Sequence, residues 1–212
     1  MDNINILLAS KLLEIKAVKL SVDKPFTWAS GWKSPIYCDN RKVNSYPSIR
    51  SMVKVELAHA ITVNFPEADT VAGVATGAIA QGALVADALG LPFVYVRPKP
   101  KDHGTGSQIE GCLREGSKVV VVEDLISTGG SSLKAVAALR QAGAAIVGMV
   151  ASHTYGFPVA AQAFADAGVR LVTLTDYDSI VNVALRTGYI STEQVETLRL
   201  WRENPGEWGK NI

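Results

Sequence analysis

The stretch VVVVEDLISTGGSS, residues 119–132, joins a run of valines to two acids and a glycine-rich turn. Four consecutive valines predict a strand that is buried on both faces of a sheet. Glu123 and Asp124 follow directly, and Ser127 to Ser132 then offer hydroxyls and backbone amides, which attract anions. A ligand that carries a phosphate, several hydroxyls and a metal ion satisfies both the acids and the amides. We therefore expect such a ligand here.

The position of this motif in a parallel sheet supports a binding site. Ligand crevices of open parallel sheets lie outside the carboxyl ends of the strands, where we expect Glu123 and Asp124 to emerge. Ser127 to Ser132 would turn into a helix N-terminus, and Gly129 and Gly130 would let a phosphate approach the backbone. A buried strand followed by an ordinary helix cap is the alternative. The paired acids favour a binding site, because buried carboxylates are costly without a partner.

Composition limits the class of protein. The chain has 212 residues, of which 48% are hydrophobic, enough for one well-buried α/β domain with a small appendage. Its net charge of +1 provides no overall field for nucleic acid or a membrane surface. Cys38 and Cys112 lack metal-ligand spacing, which favours reduced thiols, and residues 1–18 resemble neither a signal peptide nor a membrane span. We expect a cytoplasmic protein.

Apolar runs alternate with helical patterns along the chain, which predicts an α/β fold with a central, mostly parallel sheet flanked by helices. We expect one domain over residues 1–212, in which about 1–45 form an N-terminal helix and a small hood, and about 46–212 form the core. The predicted strands are 70–74, 92–96, 118–122, 145–151 and 170–174, and the predicted helices are 48–64, 79–89, 131–142, 159–167, 178–186 and 192–202.

A polar stretch, KPKDHGTGSQIEG at residues 99–111, interrupts this alternation. It is too long and too polar for a tight connection. Four basic side chains lie in or beside it: Arg97, Lys99, Lys101 and His103. Prolines on one side and glycines on the other favour a hinged loop that closes over a site, although a short basic run is more often a solvated surface.

The VVVVEDLISTGGSS stretch resembles the signature of the type I phosphoribosyltransferases, which bind 5-phosphoribosyl 1-pyrophosphate. The resemblance implies that Glu123 and Asp124 hold the ribose hydroxyls and that the turn holds the 5-phosphate. It also implies the fold of that family, with an N-terminal hood. The turn residues implied in binding are Ser127, Thr128, Gly129, Gly130 and Ser131.

Three further segments resemble the members of this family that act on orotate. FTWASGWKSPIYCDNR, residues 26–41, is similar to their hood; VATGAIAQG, residues 74–82, to their pyrophosphate loop; and RPKPKDHGTG, residues 97–106, to their mobile catalytic loop. The resemblance implies transfer of the phosphoribosyl group to orotate, with Lys101 as the main electrostatic catalyst. Arg97, Lys99, Lys101, His103, Thr76 and Gly77 are implied to contact 5-phosphoribosyl 1-pyrophosphate.

The base site departs from the family pattern at three positions. Many relatives have lysines where this chain has Ala29 and Gly77, and some have an arginine where it has Tyr155. The hood amides and a nearby cation, Lys33 or Arg41, are then candidates to hold the orotate carboxylate. Six residues are predicted for the base site: Ala29, Ser30, Lys33, Tyr37, Thr128 and Tyr155.

The resemblance also implies partners and leaves two other functions open. It implies Mg2+ bound mainly through the substrate rather than by a protein metal cluster, and a homodimer with shared active sites. Nucleic acid and membrane partners are not expected. One alternative is a phosphoribosyltransferase that acts on purines, but such an enzyme would not explain the hood segment. The other is a regulator that senses 5-phosphoribosyl 1-pyrophosphate without catalysis.

Overall fold

The computed structural model describes residues 4–28, 31–99 and 108–208. Its helices are α1 (Ile4–Glu14), α2 (Pro47–Asn64), α3 (Ile79–Leu89), α4 (Gly130–Gln141), α5 (Pro158–Asp166), α6 (Tyr177–Arg186) and α7 (Thr192–Glu203), with a 3-10 helix over Asn40–Ser45. Its strands are β1 (Val18–Leu20), β2 (Phe26–Thr27), β3 (Lys33–Ser34), β4 (Ile36–Cys38), β5 (Thr70–Val74), β6 (Phe93–Val96), β7 (Ile109–Glu110), β8 (Lys118–Ile126), β9 (Ala145–Thr154) and β10 (Leu171–Asp176).

A six-stranded sheet forms the centre, in the order β10-β9-β8-β5-β6-β7. All neighbours pair in parallel except β7, which runs antiparallel to β6 at the edge. Val119 to Val122 of β8 are 0% exposed, as a central strand covered on both faces requires. The predicted α/β fold with a mostly parallel sheet and flanking helices is confirmed.

Strand β8 is longer than the predicted 118–122, and this corrects the expected position of the acids. It runs to Ile126 and pairs with β9 as far as Thr154, which also extends β9 beyond the predicted residue 151. Its other neighbour, β5, pairs only as far as Gly73 opposite Val122. Glu123 and Asp124 therefore lie within a strand, in a part that has a strand neighbour on one side only.

The N-terminal segment forms two small antiparallel pairs beside the sheet, β1 with β4 and β2 with β3. An aromatic cluster attaches it to the core: the Trp28 ring stacks on Tyr155 at 5.4 Å and meets the edge of Trp201 at 5.6 Å. Trp201 is 0% exposed and also contacts Phe157 and Tyr177. Rings in such arrangements contribute about 0.5–1.5 kcal/mol per pair beyond their burial. This cluster holds the hood segment against the core through Trp28.

No helix in the described ranges is both long and apolar enough to cross a membrane. The division of the chain near residue 45 into hood and core remains a prediction.

Candidate active site

Three adjoining cavities open along the carboxyl ends of β5 and β8. The central cavity has a volume of about 390 Å³, and we call it the acidic cavity. A cavity of about 260 Å³ lies on the hood side and shares Cys38 and Leu125 with it. A third, of about 280 Å³, lies towards β6 and shares Val74, Ala75 and Ser131. The three form a continuous cleft.

The two acids of β8 lie at the centre of this cleft. Glu123 is only 5% exposed, and its carboxylate accepts hydrogen bonds from Ser132 Oγ at 2.8 Å and from the Asp124 amide at 3.0 Å. Asp124 is half-buried and lines the acidic cavity beside Glu123. The buried Glu123 carboxylate thus holds the backbone amide of Asp124.

Burial changes the acidity of both groups. It raises the pKa of Glu123 well above its ordinary value, and the nearby Asp124 raises it further. Burial also raises the pKa of Asp124, against hydrogen bonds and the positive charge of Arg41, which lower it. Two adjacent carboxylates with raised pKa values gain when ligand hydroxyls or a cation reach them.

Gly77 makes room for the Asp124 carboxyl group. A Cβ on residue 77 would collide with all three atoms of that group, of which even the farthest, Oδ1, lies at 2.6 Å. Thr76 and Gly77 line the acidic cavity, in the loop between β5 and α3, where the Ala75–Thr76 peptide bond is cis. In this structure the Asp124 carboxyl group therefore occupies the space that a side chain at position 77 would need.

The turn after β8 leads into the N-terminus of α4, as predicted. Gly129 caps the helix at a φ of 81°, and its hydrogen atom faces the Phe164 ring, which a Cβ would approach to 2.9 Å. The first amides of an α-helix lack an intrahelical partner, and Gly129 has no side chain that could cap those of α4. Gly130 and Ser131 line the third cavity. Thr128 is exposed on the turn and lies outside the three linings.

The predicted catalytic loop, residues 97–106, starts at the third cavity, and Gln108, just beyond the loop, lines the same cavity. The Arg97 amide donates to the Gln108 carbonyl at 2.8 Å, and Gln108 Nε2 donates to the Arg97 carbonyl at 2.6 Å. Arg97 and Gln108 line the cavity, whereas Lys99 is exposed and does not. Lys101 and His103 lie outside the described residues.

The hood-side cavity is lined by neutral side chains: Thr27, Trp28, Tyr37, Cys38, Leu125, Ser127 and Tyr155. Tyr155 is 2% exposed, and burial raises the pKa of its phenol well above the ordinary value, so the hydroxyl stays protonated. Tyr37 is 39% exposed and contacts Phe26. Ala29 and Ser30, also predicted for the base site, lie outside the described residues.

Lys33 and Arg41, the two cations considered for the orotate carboxylate, border the hood-side and acidic cavities. Lys33 Nζ donates to Thr27 Oγ1 at 3.0 Å, which brings the ammonium group to the wall of the hood-side cavity. Arg41 lines the acidic cavity, but its side chain is 60% exposed and paired with Asp39 at 2.7 Å. Lys33 therefore contacts a wall residue of the hood-side cavity, whereas Arg41 lines the adjoining acidic cavity.

A cysteine and a histidine meet behind the hood-side cavity, a contact that the sequence did not indicate. Cys38 Sγ lies 3.6 Å from Nδ1 of His153, which is 0% exposed. Burial raises the pKa of the Cys38 thiol and lowers the pKa of His153 to about 4, so both groups are neutral near pH 7. The pair resembles a nucleophile and its base, but it lacks the thiolate that nucleophilic catalysis requires.

The described residues contain no group of three or more His, Cys, Asp or Glu side chains that could hold a metal ion.

Comparison with known proteins agrees with the fold. The family model described as the phosphoribosyl transferase domain matches residues 56–179, and the chain belongs to this family.

Relatives within the family carry a more specific name. An orotate phosphoribosyltransferase of Porphyromonas gingivalis is 64% identical over 209 residues, which cover 99% of this chain and all of that protein. One of Bacteroides fragilis is 65% identical over 98% of both chains. The crystal structure of orotate phosphoribosyltransferase from Aeropyrum pernix superimposes with a TM-score of 0.75 and 32% identity, over 87% of this chain and 99% of that one.

Proposed function

We propose that this chain is an orotate phosphoribosyltransferase. It transfers the phosphoribosyl group from 5-phosphoribosyl 1-pyrophosphate to orotate and releases orotidine 5'-monophosphate and pyrophosphate, a step of de novo UMP biosynthesis. Relatives of that name align with nearly the whole chain at more than 60% identity, hood and loop segments included.

The continuous cleft is the observation that carries the proposal. A neutral, partly aromatic cavity, an acidic cavity and a cavity at a helix N-terminus follow one another along the sheet edge. A flat base, a ribose and a phosphate chain need these three environments in this order. Shared lining residues make the cavities neighbours, so orotate and 5-phosphoribosyl 1-pyrophosphate can lie side by side in them.

The acidic pair would act on the ribose. Loss of pyrophosphate leaves positive charge on the ribose carbon that was bonded to it, and a carboxylate already positioned nearby stabilises that charge without reorganisation. Asp124, which faces the cavity, is the candidate for contact with the ribose hydroxyls, and Glu123 holds the Asp124 amide. The free amides of α4 and the hydroxyl of Ser131 are the candidates for the 5-phosphate.

The leaving pyrophosphate needs positive charge. Arg97 and Lys134 both line the third cavity. Arg97 is the candidate that the resemblance implies, together with the amides near Thr76 and Gly77. Lys101 and His103 are proposed from the resemblance of their segment. Oxygen donors such as Glu123 and Asp124 suit Mg2+, which neutralises charge on the diphosphate oxygens when bound with the substrate.

The orotate ring is proposed to occupy the hood-side cavity. Tyr155 and Trp28 form an aromatic wall there, and Tyr37 lies at its rim. The protonated Tyr155 hydroxyl suits a ring carbonyl, and the Lys33 ammonium group suits the orotate carboxylate. Tyr155 would thus form part of the wall of the hood-side cavity, at the position where some relatives have an arginine for the orotate carboxylate.

Two further parts of the proposal concern assembly and location. We propose a homodimer in which the segment that carries Lys101 serves the partner's acidic cavity. We also propose a cytoplasmic location, which agrees with the free thiols of Cys38 and Cys112.

A spectrophotometric assay tests the activity. Purified protein with Mg2+ and 5-phosphoribosyl 1-pyrophosphate should consume orotate, which is followed by its ultraviolet absorbance, and omission of either should stop the reaction. Adenine, guanine and hypoxanthine in place of orotate test the purine alternative. Turnover of a purine but not of orotate would reassign the substrate, and binding without any turnover would favour the sensor.

A further inference from the structure

The backbone of Asp124 is held by side chains on both of its polar groups. Its amide donates to Glu123 Oε1 at 3.0 Å, and its carbonyl accepts from Asn40 Nδ2 at 2.7 Å. Strand β5 ends its pairing with β8 opposite Val122, before Asp124 is reached. Asn40 therefore supplies the donor at a point where the neighbouring strand no longer runs alongside.

Asn40 is itself held in a defined orientation. It is 6% exposed, and it opens the 3-10 helix that follows the hood strand β4. Its Oδ1 accepts a hydrogen bond from Cys38 Sγ at 3.0 Å, and this contact identifies Nδ2 as the atom that faces Asp124. Cys38 in turn rests against His153 of β9. The Asn40 side-chain amide is thus held by Cys38 of the hood and points at β8, the strand that carries Glu123 and Asp124.

We propose that Asn40 is a positioning residue, which orients the Asp124 carboxylate by holding its backbone and so links the hood to the ribose site. The inference rests on the proposed function, because the role of Asp124 in turnover is part of it. Without Asn40, the Asp124 carbonyl would lose its partner on a stretch of β8 that is paired with β9 alone. A small displacement of a catalytic group is enough to reduce the rate, since misplacement by about 1 Å costs up to roughly a hundredfold.

The test compares Asn40→Ala with Asn40→Leu, which retains the side-chain volume while removing both hydrogen bonds. We expect kcat to fall between about tenfold and a hundredfold in each, with KM for 5-phosphoribosyl 1-pyrophosphate changed less than about threefold. Loss in kcat rather than in KM indicates a group needed in the transition state. A folded Leu variant decides the outcome if the Ala variant does not fold.

A double-mutant cycle separates positioning from a general structural effect. If Asn40 acts through Asp124, Asn40→Ala should cost less than about threefold when Asp124→Asn is already present. Asn64→Ala is the matched control, because Asn64 Nδ2 donates to the Ala60 carbonyl at 2.8 Å on α2, away from the cleft. It should lower the melting temperature without changing kcat.

Three results would overturn the inference while leaving the proposed function intact: a folded Asn40 variant within twofold of wild-type kcat, a loss confined to KM, or fully additive losses with Asp124→Asn. An inactive wild-type protein would overturn the proposed function, and this inference with it.

Discussion

The Asp124 carboxyl group occupies the space that a Cβ on residue 77 would need. The glycine belongs to the loop after β5 and the acid to β8, so a backbone without a side chain is what lets the carboxylate face the acidic cavity. Any larger residue at position 77 must displace Asp124 or the loop itself.

Gly77→Ala should therefore lower turnover. We expect kcat to fall on the order of tenfold or more, because the carboxylate is pushed from its position, with a modest loss of stability. Steady-state kinetics and a thermal melt measure the two effects. Gly148→Ala is the control: its Cβ would collide with the Phe65 ring in the core, so it should lose stability by about 1–3 kcal/mol but retain kcat per folded molecule. Unchanged kcat in Gly77→Ala would contradict the role of this glycine.

Glu123→Gln should make the protein more stable at pH 8 and lower its turnover. Burial raises the pKa of Glu123 in the folded protein, so the carboxyl binds its proton more tightly than in the unfolded chain. Its contribution to stability is complete below pH 4.5, the ordinary pKa, and is lost as pH rises through the raised value. At pH 8 the neutral amide should stabilise the protein by about 1 kcal/mol, and turnover should fall.

Denaturant melts at pH 8 and at pH 4 measure this difference, which should vanish at the lower pH. Glu67→Gln, at an exposed position, is the control and should change neither quantity. A Gln variant less stable than wild type at pH 8 would show that the ionised form is well compensated in the free protein.

His153 should make the fold sensitive to mild acid. Its pKa is lowered from 6.5 to about 4 by burial, so between these values the unfolded chain binds a proton that the folded one does not. From pH 7 to pH 5 this group should reduce the free energy of unfolding by about 2 kcal/mol. In His153→Phe that part of the pH dependence should disappear. His59→Phe, at an exposed site on α2, should keep it, and equal pH dependence in all three proteins would contradict the prediction.

Lys33→Ala should weaken orotate more than 5-phosphoribosyl 1-pyrophosphate. The ammonium group lies at the wall of the hood-side cavity through Thr27, and loss of a charge-assisted contact typically costs about 1.5–3 kcal/mol. Separate titrations of the two substrates measure it. Lys24→Ala, another hood lysine but exposed and outside the cavity lining, should affect neither. Equal weakening of both substrates would assign Lys33 a structural role.

Hybrid dimers test the proposed shared site. Consider a dimer of one Lys101→Ala and one Asp124→Asn subunit. If the sites are shared, one of its two active sites carries both substitutions and the other carries neither. Random exchange makes about half of the dimers hybrid, so the mixture should regain about a quarter of wild-type activity, by the counting that two-fold symmetry imposes. The mutants are refolded together, and hybrids are verified by mass. No recovery above the separate backgrounds, with hybrids present, would refute the sharing.

The order of strands and helices could be read from the sequence because it depends on local patterns. Four valines before two acids predicted a central strand that leads to a ligand edge, and the glycines after them predicted a turn into a helix N-terminus. The ends of strands β8 and β9 were predicted less accurately than their order. β8 and β9 support each other to Ile126 and Thr154, an extension that depends on pairing between segments far apart in the chain.

The sequence by itself thus determined the acidic motif and the anion-binding turn, which lie together in residues 119–132, and the α/β fold, which follows from an alternation of short local patterns along the chain. Three contacts became visible only in the tertiary structure. Gly77 lies against the Asp124 carboxyl group, Asn40 donates to the Asp124 carbonyl, and Cys38 contacts His153. These contacts join residues separated by 47, 84 and 115 positions. No local pattern records them, because their geometry depends on how the hood, the loop after β5 and the sheet pack around one another.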